Sequence, residues 1–191
     1  ILYAPSYTPT AHPAPREYTQ YTMLPAIKEK AEQEYGCMFY THADYNWDKW
    51  PPEAWDPVAG GYSVEAKFIV NAVGLRNRLS ILTETPGHVG FEKRIYASYA
   101  FCHCLLDYVY KNGAEIQELC HKTDESIIKE IKEKASTGEL RNWVEGEYTE
   151  QDQPCDLYAY PNRKEEYIPG TSIIRHWIGE GEPTLIKGVK D

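Results

Sequence analysis

Apolar side chains recur along this chain with two different periods, and the changes of period mark out its elements. Between residues 16 and 35, Tyr18, Tyr21, Leu24, Ile27, Ala31 and Tyr35 follow one another every three or four positions, which predicts a helix with that face turned to a core. Pro15 suits its first turn and Gly36 its stop. Ahead of it, residues 3–15 hold four prolines and read as an extended, irregular lead-in. Behind it, residues 37–41 are a short β-prone run. Residues 43–61 then form a long loop with Trp47, Trp50, Trp55, three prolines and two glycines, and loops of that length are usually functional. Residues 65–73 fit a short helix or a short strand equally well.

Residues 78–84 alternate as a strand does. Leu79, Ile81 and Thr83 fall on one side and Arg78, Ser80, Leu82 and Glu84 on the other, with Pro86-Gly87 as a closing turn. Glu84 is therefore expected at the carboxyl end of a mostly buried strand. The helical period returns over residues 89–111, where Phe91, Ile95, Tyr99, Cys102, Leu106 and Val109 are spaced by 4, 4, 3, 4 and 3. That stripe is expected to face the core, and Asn112-Gly113 to stop the helix. Residues 114–136 repeat the period through Ile116, Cys120, Ile127, Ile131 and Ala135, which predicts a third helix. Beyond Gly138 the pattern changes to short β-prone runs at 143–149, 156–160, 172–178 and 184–186. The expectation is an α/β fold over residues 1–112 followed by an α+β appendage over 113–191.

Composition narrows the function classes. With 191 residues, 20 basic and 29 acidic side chains and a net charge of −9, the chain is long enough for a real core and has the wrong charge for a phosphate backbone. No basic run exceeds two residues, so nucleic acid is not an expected partner. The most apolar stretch, residues 96–110, is broken by His103 and Asp107 and is shorter than the roughly 20 residues of a membrane span. The chain opens Ile1-Leu2-Tyr3 without a basic-then-apolar leader, and it reads as a piece of a longer protein. Five cysteines, Cys37, Cys102, Cys104, Cys120 and Cys155, are odd in number and lack the dense spacing of a disulfide scaffold.

Signatures that work by spacing are scarce. There is no Gly-x-Ser-x-Gly, no phosphate-cradling glycine loop and no His-Glu-x-x-His. Cys102-His103-Cys104 looks metal-like, yet on a helix adjacent residues point in different directions and cannot share one tetrahedral ion. Buried thiols with His103 on an outer face are the expectation there. His42-Ala43-Asp44 is read as a polar cap, and His88 as turn chemistry.

One stretch goes further. Gly74-Leu75-Arg76-Asn77-Arg78-Leu79-Ser80-Ile81-Leu82-Thr83-Glu84-Thr85, followed by Phe91-Glu92-Lys93-Arg94-Ile95 and a long helix, resembles the last strand and last helix of the zinc carboxypeptidase family, in a bacterial subgroup of secreted proteins. The resemblance spans about residues 1–112 and is strongest over 74–95. It implies that Glu84, at the end of that strand, acts as general base on water in the hydrolysis of a peptide or peptidoglycan-type amide near a free carboxylate. It also implies zinc in the full-length protein. The family's His-x-x-Glu, third histidine and Asn-Arg pair all precede this strand and cannot be placed here, so no zinc is expected in this chain alone, and the rest of its own polypeptide is the partner that would supply it. A periplasmic or extracellular location follows from the subgroup.

The residues read for themselves are compatible with this. A carboxylate in a cleft at the end of a buried strand is partly desolvated and becomes a stronger base. The plain alternative is a salt bridge from Glu84 to Arg76 or Arg78. Either arginine could also hold a substrate carboxylate in a bidentate fork. Tyr62, after Gly60-Gly61, occupies the region where the family has a mobile tyrosine that closes over substrate. The tryptophans at 47, 50 and 55 read either as core packing or as a stacking wall, and the second reading makes the chain a non-catalytic peptide- or carbohydrate-binding module.

Overall fold

The computed structural model describes residues 1–42, 63–85, 87 and 89–139, together with the backbone of four strands within 155–189. The expected tryptophan loop, Tyr62 and the β-prone run at 143–149 lie outside the described residues. What is described is a mixed arrangement of helices and a small sheet.

The sheet has three strands, in the order β2, β1, β3. The central strand β1, Leu2–Pro5, comes from the proline-rich lead-in, and its first residues are free of proline and able to pair on both sides. Strand β2, Tyr40–Thr41, lies parallel to it with Leu2 opposite Tyr40. Strand β3, Ile81–Glu84, is antiparallel, with Leu2 opposite Glu84 and Pro5 opposite Ile81. Pro5 ends β1 where its missing N–H interrupts nothing.

Helical residues 13–35 are not one regular helix. Helix α1, Pro13–Tyr18, is capped by His12, whose Nδ1 accepts from the Ala14 amide at 3.2 Å. A π-helical turn, Thr19–Met23, leads into α2, Leu24–Tyr35. Pro25 explains it: a proline inside a helix lacks the N–H that would bond four residues back, and its ring collides with that carbonyl, so the chain widens by one residue there. The extra residue rotates everything upstream by about a third of a turn relative to α2. Tyr21, expected on the core face, is consequently 63% exposed, and Met23 is buried instead. Gly36 ends α2 as expected, at φ +62, with the Cys37 amide donating to the Ala31 carbonyl at 3.3 Å.

A short helix α3, Ile69–Gly74, settles the ambiguous segment. Its residue Asn71 is fully buried and ties three segments together. Oδ1 accepts from Ser6 Oγ at 3.3 Å and from the Tyr7 amide at 3.0 Å, while Nδ2 donates to the carbonyls of Ser63 at 2.5 Å and Glu65 at 3.1 Å. Gly74, three residues on, packs so closely on Ser6 that no Cβ fits there.

Helix α4, Phe91–Thr137, is 47 residues long and runs straight through Asn112-Gly113. The expected stop fails because a glycine interrupts a helix only weakly, by about 1 kcal/mol relative to alanine, when helix-forming residues flank it on both sides. The position expected to divide the chain, between 112 and 113, thus falls inside one helix. The core-facing stripe is also different from the expected one. Ala100, Phe101 and Cys104 are buried against Met23, Leu24, Ile27, Ala31 and Phe39, with the Phe39 and Phe101 rings edge-on at 5.5 Å. Phe91, Ile95, Tyr99, Cys102, Leu106 and Val109 face outwards. Both faces are apolar; the one holding the small residues Ala100 and Cys104 lets α2 approach closely, and it is the one buried. Lys30 on α2 reaches both Glu34, at 2.7 Å, and Asp107 of α4, at 3.1 Å, across the edge of this contact.

The remaining strands pair antiparallel in two hairpin-like pairs, β4, Cys155–Ala159, with β7, Thr184–Val189, and β5, Asn162–Glu166, with β6, His176–Glu180. Three of the expected β-prone runs coincide with β4, β6 and β7 at least in part; β5, rich in charge, was not foreseen. Among the described residues no helix is long and apolar enough to cross a membrane.

Candidate functional site

Glu84 closes β3 opposite Leu2, at the edge of the sheet among the described residues. Its side chain is 53% exposed, so the expected burial of the strand end, and the desolvation argued from it, do not hold. The reason is topological: among the described residues β3 has a paired neighbour on one side, and both Thr83 and Glu84 at its end are exposed. The partner of Glu84 is neither Arg76 nor Arg78. It is His42, just past β2, whose Nε2 lies 3.5 Å from Glu84 Oε2 while its backbone amide donates to the Tyr3 carbonyl at 2.6 Å. The two strands that flank β1 therefore bring an imidazole and a carboxylate together across β1. His42 was set aside in the sequence as a polar cap; the parallel pairing of β2 with β1, which no local pattern encodes, is what makes it a neighbour of Glu84.

Arg76 is exposed. Arg78 is engaged elsewhere: its guanidinium forms a two-pronged pair with Asp124 of α4, Nη1 to Oδ1 at 3.1 Å and Nη2 to Oδ2 at 2.9 Å, and also donates to the carbonyls of Arg76 and Asn77. Asn77 sits in left-handed backbone, φ +57, and adds a donor from Nδ2 to Asp124 at 3.2 Å. To receive a substrate carboxylate, Arg78 would first have to release Asp124. The hydrogen bond from Arg78, and then that from Asn77, hold the Asp124 carboxyl below its usual range. Such a group stabilises the fold above the ordinary carboxylate titration and ceases to as pH falls through its depressed value. We expect the melting-temperature gap between wild type and Asp124→Asn to be present at pH 7 and to shrink as pH falls below the ordinary aspartate range; a gap unchanged at low pH would remove the ion pair from the account.

The Cys-His-Cys triplet separates as helical geometry requires, and the expectation of two buried thiols holds for one of them, because neighbouring positions on a helix cannot both face the core. Cys104 is buried, and burial pushes its thiol above the usual range. Cys102 is exposed, and His103 Nδ1 meets the Tyr35 hydroxyl at 2.8 Å within a cluster of Tyr35, Tyr96, Tyr99 and His103 rings. Iodoacetamide is therefore expected to modify Cys102 in the native protein well before Cys104, as peptide mass spectrometry would show; equal rates would contradict the packing. Among the described residues no group of three or more His, Cys, Asp or Glu is placed to hold a metal ion. His42 and Glu84 make two, short of the three protein ligands of a catalytic zinc.

No family model, curated protein or solved structure matches this chain.

Proposed function

We propose that the chain is part of a zinc metallopeptidase that hydrolyses a peptide or peptidoglycan-type amide near a free carboxylate, with Glu84 as the general base. The observation that carries this reading is the Glu84–His42 pair across β1, in which the carboxylate of Glu84 is open to solvent and the imidazole is largely covered. It is joined by the resemblance of residues 74–95 to the carboxypeptidase strand and helix. A base must reach the water it deprotonates, and an exposed carboxylate steadied by an imidazole has that access. The described residues do not make a zinc site, so the metal belongs to ligands contributed by other parts of the polypeptide. On this reading the complete polypeptide is expected to hold one zinc and to hydrolyse peptide amides, and residues 1–191 alone to do neither. Metal analysis and a peptidase assay on both preparations test it, and tightly held zinc in the short chain would overturn the division of labour.

A second reading, a non-catalytic binding module for a peptide or carbohydrate, is favoured by the exposed rings of Tyr96 and Tyr99, both set edge-on against the half-buried Tyr35. Aromatic faces that are exposed yet mutually braced suit recognition, because little side-chain freedom is lost on contact. A complete polypeptide without zinc or turnover that still binds such a ligand would select this reading.

A further inference from the structure

The first turns of α4 and the residue after β3 enclose an open groove of about 400 Å³, within the size range of small-molecule sites. Its walls are Phe91, Ile95 and Tyr99. Set into these apolar walls is one cation, Arg94. Its Nε donates to Thr85 Oγ1 at 3.2 Å, which leaves both terminal nitrogens out of that bond. Among the described residues no carboxylate pairs with it, unlike Arg78 with Asp124. The terminal nitrogens are thus available as a fork, in a chain whose other charge is predominantly negative. Ser98 places a hydroxyl on the same rim, and Cys102 closes the far end.

We propose that this groove binds a small apolar monocarboxylate, its carboxylate held by Arg94 and its hydrocarbon body laid against Phe91, Ile95 and Tyr99. A fork of two N–H donors matches the two oxygens of a carboxylate, and neither an amide nor an alcohol offers the same pair of acceptors or the charge. The apolar walls require a hydrocarbon body, which excludes inorganic anions. The volume limits that body to roughly a ring or a short chain. This site is separate from the Glu84–His42 pair and its occupancy is read without turnover, so it stands or falls independently of the peptidase reading.

The probes are 3-phenylpropanoate, octanoate and 3-phenylpropanamide, titrated into the 191-residue chain by NMR or calorimetry. Saturable binding of at least one acid is expected, with the amide weaker by about tenfold or more, the loss that accompanies a missing charged hydrogen-bond pair. Tighter binding of the aryl acid identifies aromatic acids as the natural class, and tighter binding of octanoate identifies alkyl acids. Bound acid should also slow alkylation of Cys102 by iodoacetamide. Arg94→Gln should weaken the acid to the level of the amide while leaving the amide unchanged; the acid-to-amide comparison on wild type needs no variant and covers the case in which that one misfolds. Equal affinity for acid and amide, or no saturation by either acid, would overturn the proposal.

Discussion

Glu84→Gln in the complete polypeptide is expected to lower kcat by about 10²- to 10⁴-fold, the usual contribution of a positioned base. Glutamine keeps the shape of the side chain and its ability to accept from His42, and removes only basicity. Because the Glu84 side chain is 53% exposed, the change disturbs no packing, and the loss of its pair with His42 should cost about 1 kcal/mol or less under either role. If Glu84 serves only as the partner of His42, turnover stays near that of wild type. Steady-state kinetics on this variant separate the two roles, with a thermal melt to show that the fold is intact, and a normal kcat would end the catalytic assignment.

The second large effect concerns stability. Asn71→Ala is expected to destabilise the fold by about 3–5 kcal/mol, since the Tyr7 amide and the carbonyls of Ser63 and Glu65 each lose a partner, at about 1–3 kcal/mol for each group left unsatisfied. Native stabilities are about 5–15 kcal/mol, so this is a substantial part of the whole. For a chain of this size the melting temperature should fall by roughly 10 °C. Ser6→Ala, which removes one bond and leaves the others, should cost far less. A drop of only a degree or two in Asn71→Ala would mean that water replaces the amide, and that the lead-in, residues 63–65 and α3 are not joined there.

How much of this could be read from the chain depends on whether the deciding contact is local. Gly36 as a stop and residues 81–84 as a strand were legible because an αL cap and a period of two are written within a few residues. Period alone misassigns the face of residues 19–23, because the π turn at Pro25 shifts Tyr21 out and Met23 in. Helix α4 was recognised as helix but turned the wrong way, because period alone cannot choose between two apolar faces; the fit of Ala100 and Cys104 against α2 does, and that is a property of a surface elsewhere in the sequence. At the candidate site the place of Glu84 at the end of a strand is legible from the alternation of residues 78–84. His42 was not, since its proximity comes from a parallel pairing 38 positions away, Leu2 with Tyr40. Asn71 gave no signal at all: a single polar residue amid Val70, Ala72 and Val73 looks like a break in a pattern rather than a joint.

The length of α4 has a consequence of its own. Its last paired side chain to the rest of the described chain is Asp124; of the 13 residues from Glu125 to Thr137 all but Ile127 are exposed, braced along their own surface by Lys129 with Glu133 and Lys134 with Glu130, with His12 near enough to act on the Glu130 carboxylate. At 1.5 Å per residue that arm projects about 20 Å before Gly138 ends it in left-handed backbone. A rigid arm converts residue number into angle. One residue inserted or removed within it swings the departing chain by about 100° around the helix axis, while seven return it to within about 20° of the original heading and displace it by about 10 Å. Evolutionary changes in this arm are therefore constrained in phase far more than in reach, and insertions of seven residues should be tolerated where insertions of two are not.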